Sequence, residues 1–237
     1  TQTYKCVEYG FEKALEDVVG AAWQFGDSPE RIATEYVTNL LQIEIEKLAA
    51  AEFFAASKWG TDTTKSGTGQ WSDLANSDPI ADVDAAKRVI RRNTGAEVTA
   101  GLTGALAWEK LKEHPLLLDK YKHTQRGILT QELVAAALGI AELEVGASVE
   151  NTAAEGATYA GADIWTDNIV LFVKEPPGLM SPNAGLILTW NERGNVPWAL
   201  DRYRDEGTRS DIVRVFTHID PQVLSAQHGY RYADLVA

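Results

Sequence analysis

A chain of 237 residues with 45% apolar and 24% charged side chains can bury a core, and its seven tryptophans argue against disorder. Its net charge of −12 disfavours nucleic acid as a docked ligand, because phosphate binding needs a basic surface. The longest apolar runs fall short of the ~20 residues of a membrane span. One cysteine, Cys6, excludes an internal disulfide framework and any cysteine-based zinc site, and the expected setting is reducing and cytoplasmic.

In chain order, residues 3–9 read as a short β-like stretch. An acidic helical segment follows, with Phe11, Leu15, Val18 and Val19 on one side, and Gly26-Asp27 breaks it. A long helix is then predicted over 28–57. Ser28 suits the N-cap, Pro29 the first helical position and Glu30 the positive end of the dipole. Ile32, Tyr36, Val37, Leu40, Leu41, Ile45, Leu48 and Phe53 recur at helical spacing, and no Gly or Pro intervenes until Gly60. Some 29 residues at ~1.5 Å rise make a rod of roughly 43 Å. That length fits a core helix or a spine joining distant parts of an elongated subunit. Residues 1–57 hold ten acidic and four basic side chains, so this part is acidic as well as long.

Residues 59–71, rich in Thr, Ser and Gly, read as an exposed loop. Ser77-Asp78-Pro79 starts a helix to about Arg92, with Ile80, Val83, Ala86 and Ile90 inward and Lys87, Arg88, Arg91 and Arg92 on a solvated outer face. A strand is expected over 97–102, and helices over 104–113, 115–121 and 130–138, the last capped by Thr130 and ended by Gly139. Strands follow over 141–145, 164–173, 185–190 and 212–219. Helices and strands mix without regular βαβ alternation, so the fold class is α+β.

The residues offer no recognisable catalytic constellation. His114, His123, His218 and His228 lack the i, i+4 spacing that sets two imidazoles on one metal, and His114, ahead of Pro115, reads as structural or as a surface residue. Asp82 and Asp84 lie in the acidic first turns of a helix, where the dipole explains them better than a metal does. Gly67-Thr-Gly69 lacks the context of a dinucleotide fingerprint. Gly146-Ala-Ser148-Val-Glu150 ends in Glu where a nucleophile elbow needs Gly. No enzymatic activity, cofactor or metal is expected.

The short motifs make an ordered series. Gln70-Trp71-Ser72-Asp73 precedes Ser77-Asp78-Pro79-Ile80; Trp108 and Leu111-Lys112-Glu113-His114-Pro115 follow. Then come Tyr121 to Gly127, Thr130-x-Glu132-Leu133-x-Ala135, Leu138-Gly139, Val145-Gly146 and Asn151-Thr152-Ala153. Ile164-Trp165, Pro182-x-x-Gly185 and Trp190 close it. Over residues 28–219 this series resembles the tailed-phage major capsid proteins of the HK97 fold. The resemblance implies that the long helix is the spine of a peripheral domain and that the mixed part is an axial domain around five- and six-fold axes. The corresponding division is 1–75 with the spine helix 28–57, 76–185 axial, and 186–237 returning to the peripheral domain with C-terminal strands. The family also carries an N-terminal arm and a long hairpin, the E-loop, ahead of the spine. Neither is recognised in these residues, and since Thr1 follows no methionine both are expected to be encoded upstream.

The implied function is a head-shell subunit that assembles into pentamers and hexamers of an icosahedral shell around double-stranded DNA. Its implied partners are itself, with portal, scaffold and maturation protease; DNA is met only by weak non-specific proximity, and no membrane is involved. Its place is the virion, assembled in the host cytoplasm. An encapsulin-like nanocompartment shell is the alternative on the same fold, and a small α+β enzyme with an unrecognised site is a third. Subunit contacts are expected in two stretches. One is 191–211, where Arg193, Trp198, Arg202, Arg204, Asp205, Glu206 and Arg209 combine arginines with carboxylates and no lysine. The other is the small-residue loop 151–161 around Glu155, Ala157 and Tyr159, suited to close packing at a symmetry axis.

Overall fold

Tyr9, Phe11 and Leu15 satisfy two periodicities, four apart for a helix and two apart for a strand. The structure, a computed structural model describing residues 5–23, 28–121, 129–175, 183–189 and 198–237, resolves the ambiguity in favour of the strand. Strand β1 (Val7–Glu16) pairs antiparallel with a long partner from the other end of the chain, Val7 opposite Ile219 and Glu16 opposite Ser210. The expected acidic helix is therefore overturned over residues 11–16 and survives only as α1 (Asp17–Ala22). Val18 and Val19 remain 75% and 45% exposed, so that short helix buries no apolar stripe. The expected break at Gly26-Asp27 lies outside the described residues.

Helix α2 spans Pro29–Phe53, 25 residues or ~37 Å, and stops four residues short of the expected end. The stop has a physical cause. The Trp59 indole N–H donates to the Phe53 carbonyl at 2.7 Å, satisfying a last-turn acceptor, and Ser57 adopts a positive φ of 63° that no helix continues. Val37 and Leu41 are fully buried and pack with Val215, Tyr9, Phe11 and Ile45. Each buried side chain of this size stabilises by ~1.5–3 kcal/mol.

Contacts divide the chain into two compact units, residues 1–49 with 187–222 and residues 50–186 with 223–237. In the first, β10 (Ser210–Val223) lies between β1 on one side and β8 (Gly185–Thr189) and β9 (Ala199–Asp205) on the other. One face of this sheet, antiparallel where β10 meets β1 and β9, is covered by α2, and the other carries Glu8, Glu12, Tyr203, Arg214, Phe216 and His218.

The second unit is built on a five-stranded mixed sheet in the order β2-β11-β7-β3-β4. These strands are β2 (Thr61–Thr64), β3 (Ala100–Gly104), β4 (Glu142–Gly146), β7 (Ile169–Phe172) and β11 (Gly229–Ala233). β3 and β4 are parallel neighbours, which demands a long crossover. Helices α4 (Ala105–Glu113), α5 (Pro115–Tyr121) and α6 (Gln131–Leu138) lie within it. Helix α3 (Pro79–Thr94) has its cap as expected: the Asp78 carboxylate accepts from the Ile80 and Ala81 amides at 3.1 and 3.0 Å. The expected Thr130 side-chain cap is absent from α6, but Gly139 ends that helix in the left-handed region at φ 65°.

Residues 59–71 are not the plain exposed loop that their composition predicts. They hold β2, and Trp59 and Trp71 are 6% and 0% exposed. The Trp71 indole donates to Asp82 at 3.0 Å, Lys65 meets the other oxygen of that carboxylate at 2.6 Å, and the Tyr232 hydroxyl donates to the Asp82 carbonyl. Residues 50–75 and 223–237 thus group with the mixed-sheet unit, whereas the division that the resemblance implies places them with the long helix. The core gathers Trp71, Val83, Ile90, Leu111, Leu138 and Leu171. Expected strand 164–173 begins only at Ile169, because Trp165 turns back onto β4. An added Cβ at Gly146 would lie 2.2 Å from the Trp165 ring, so only glycine admits that packing.

Candidate functional site

The described part of the stretch expected to form intersubunit contacts, residues 198–211, holds a β-hairpin, with Asp205 opposite Ser210 and Ala199 opposite Phe216 across β9 and β10. Residues 206–209 make its turn. The Asp205 carboxylate accepts from the Thr208 hydroxyl at 2.7 Å and the Gly207 amide at 2.9 Å, and these bonds hold its pKa below the usual carboxylate range. Arg209 sits at a positive φ of 50°, and its carbonyl accepts from the Asp17 amide at 3.2 Å.

Two of the arginines are engaged within their own chain. Arg204 grips Asp17 through two bonds of 2.5 and 2.7 Å, with Glu206 and Asp211 also near at 3.5 and 3.6 Å. That fork raises the Arg204 pKa and lowers that of Asp17. Arg202 meets Glu30 of α2 at 2.8 Å and Asp211 at 3.2 Å. Glu30, expected to serve only the helix dipole, is therefore also a tether for β9. Beside its exposed polar residues the hairpin also leaves three large apolar side chains open: Trp198, Leu200 and Tyr203 are 38%, 57% and 45% exposed. The Tyr203 hydroxyl donates to Glu12 at 3.1 Å, which raises its pKa. Arg193 lies outside the described residues.

The second expected contact stretch is the tip of another hairpin, β5 (Val149–Asn151) paired with β6 (Gly161–Asp163). Asn151 organises it: its side-chain oxygen accepts from the Ala153 and Ala160 amides at 3.1 and 3.0 Å, and the Thr152 amide donates to the Ala160 carbonyl at 2.9 Å. Glu155, Ala157 and Tyr159 project from this braced tip, with Tyr159 69% exposed. The two stretches belong to different compact units.

His114 is fully buried and structural. Its Nδ1 accepts from the Leu116 amide at 3.4 Å, and Nε2 faces the Ser77 hydroxyl at 3.1 Å, which in turn donates to the Asp73 carbonyl at 2.7 Å. That chain of bonds needs the neutral Nε2–H tautomer, and burial pushes the His114 pKa down, with Asp78 opposing. Among the described residues no group of three or more His, Cys, Asp or Glu is placed to hold a metal ion. No described helix is long and apolar enough to cross a membrane.

No family model matches the chain. It is 29% identical over 214 residues to the major capsid protein of Burkholderia phage BcepMu, covering 85% of this chain and 65% of that protein. Among solved structures, a phage-related protein from Bordetella bronchiseptica RB50 superposes with a TM-score of 0.81 at 22% identity, over 98% of this chain and 77% of that one. The capsid of Cyanophage P-SCSP1u gives 0.59 at 14% identity, over 97% and 72% of the two chains. The SrpI encapsulin of Synechococcus elongatus gives 0.53 at 8% identity, over 98% and 75%. The chain thus has the HK97-like fold shared by phage capsid proteins.

Proposed function

We propose that this chain, whose fold is that of the tailed-phage capsid proteins, is a major capsid protein that assembles into pentamers and hexamers of an icosahedral shell enclosing double-stranded DNA. The observation that carries the reading is the agreement between a capsid relative at 29% identity and a fold match at TM-score 0.81 to a phage-related protein. The encapsulin likeness, at 0.53, is weaker support for the nanocompartment alternative. The whole protein's activity is inferred from a relative of which this chain spans only 65%.

In this reading the protein is a virion component with a structural role, assembled in the host cytoplasm beside portal, scaffold and maturation protease. The unit holding α2 is its peripheral part and the mixed-sheet unit its axial part. The Glu155–Tyr159 tip meets its mates at a symmetry axis. Trp198, Glu206 and Arg209 supply contacts from the β9–β10 hairpin, while Arg202 and Arg204 brace it from within. The acidic balance of −12 suits a lining that does not trap packaged DNA.

Negative-stain images and native mass measurement of the full-length product test the reading. Closed shells of one repeated subunit are expected, and nuclease-protected DNA in particles from infected or induced cells distinguishes a phage head from a compartment filled with protein cargo. A product that stays monomeric across salt, concentration and scaffold conditions overturns it.

A further inference from the structure

Helix α3 carries Arg88, Arg91 and Arg92 at i, i+3 and i+4, the spacing that sets side chains together on one helical face. All three are exposed, and none has a carboxylate partner among the described residues. Of the other described arginines, Arg31, Arg202, Arg204, Arg214 and Arg231 each pair with a carboxylate of their own chain, and only Arg209, alone at a hairpin turn, likewise has none. In a protein of net charge −12, carboxylates are plentiful, so three guanidinium groups clustered on one face without a single one are out of character.

Beside them lies a cleft of about 310 Å³, bordered by Asp84, Lys87, Arg88, Arg91, Glu97 and Gly139. Lys87 is already committed, since its ammonium donates to the Leu138 carbonyl at the end of α6 and stands 3.6 Å from Asp84. Arg88 and Arg91 are the cations at this cleft with no such bond.

We propose that this face of α3 docks an acidic surface of a second copy of this chain, with Arg88 and Arg91 gripping carboxylates that enter the cleft and Arg92 beside them on the same face. The inference rests on the shell reading and names one contact of that assembly. Copies that each carry −12 repel one another, so a local region of opposite sign favours association, and a bare arginine face provides it. Guanidinium suits the task because it binds a carboxylate through two parallel hydrogen bonds and is weakly hydrated. Duplex DNA, the other candidate polyanion, fits less well. Phosphate contacts accumulate over a broad basic surface, whereas here Asp84 and Glu97 stand in the same cleft and the chain as a whole repels phosphate.

The test compares the full-length product with R88E/R91E/R92E and with R88Q/R91Q, reading circular dichroism, sedimentation and particle formation, together with fluorescence anisotropy on a labelled DNA duplex. Gln in place of exposed helical arginine changes helix propensity little, so R88Q/R91Q retains its fold, whereas Glu at 91 and 92 stands in the last turn of α3 and opposes the helix dipole. The expected result is loss of particles for the triple variant and a rise on the order of tenfold in the assembly threshold for R88Q/R91Q. The threshold of the unaltered chain rises with salt more steeply than that of R88Q/R91Q. Should the triple variant fail to fold, R88Q/R91Q decides by the same threshold. Particles forming as in the unaltered chain overturn the inference, as does loss of duplex binding with assembly untouched, which makes the face a nucleic-acid contact. If the unaltered chain itself never assembles, the shell reading falls and takes this contact with it. If it assembles and both variants do too, only the contact falls.

Discussion

Gly146 and His114 show how single residues hold the second unit together. Gly146 stands opposite Gly104 in the parallel β3–β4 register, and the Trp165–Thr166 turn lies over both, with an added Cβ at Gly104 only 1.8 Å from the Thr166 carbonyl. Gly146→Ala forces the Trp165 ring off β4 and is expected to lower unfolding stability by about 1–3 kcal/mol, the ordinary cost of overpacking. Denaturant unfolding measures this, and Gly146→Ala/Trp165→Leu recovers part of the loss if the clash is the cause. His114 makes a pH prediction. Its folded pKa lies below the ordinary 6.5, so the unfolded chain takes up this proton first, and stability falls as pH drops below about that value. His114→Gln is expected to be less stable at neutral pH but to show a flatter decline between pH ~6.5 and ~5. An unchanged slope would assign that proton to another group.

Among elements, the β9–β10 hairpin changes most in meaning once its partners are visible. Arg204, read from sequence as a contact between subunits, fastens β9 to α1 through Asp17. Arg204→Gln therefore acts first within the monomer: faster amide hydrogen exchange is expected over Asp17–Ala22, with little change in the exchange of β3 and β7. Exchange at α1 identical to that of the unaltered chain would mean that the fork does not restrain it. An assembly defect in an Arg204 variant consequently reports on the hairpin's shape before it reports on any neighbour. Trp198 is the cleaner probe of contact, since it is 38% exposed.

For the whole molecule, the question is how copies meet. The β5–β6 tip is braced by Asn151 yet presents Ala157 among small neighbours, so bulk added there meets solvent in the monomer and another copy in an assembly. Ala157→Trp is expected to reduce particle yield severely while leaving monomer circular dichroism and thermal unfolding unchanged. Normal particle yield would remove this tip from the symmetry axis. Together with the α3 arginines, this would give the mixed-sheet unit one contact set by shape and one set by charge.

Some of this architecture was legible from local chemistry alone. Asp78-Pro79 starts α3, Val83, Ala86 and Ile90 bury its inner face, and Gly139 ends α6, because caps and helical periodicity act within a few residues of where they are written. The order of motifs likewise carried the fold family. Other features depended on partners far away in the chain. Residues 11–16 satisfied both helix and strand patterns until β10, some 200 residues on, supplied hydrogen-bonding partners, and β2 had no strand signature at all without β11. Arg202 and Arg204 read as contacts between subunits because their partners Glu30 and Asp17 lie more than 170 residues upstream. Sequence determines what each residue prefers over a few neighbours; strand pairing and ion pairing are settled by which distant groups arrive opposite, and only the tertiary structure decides that.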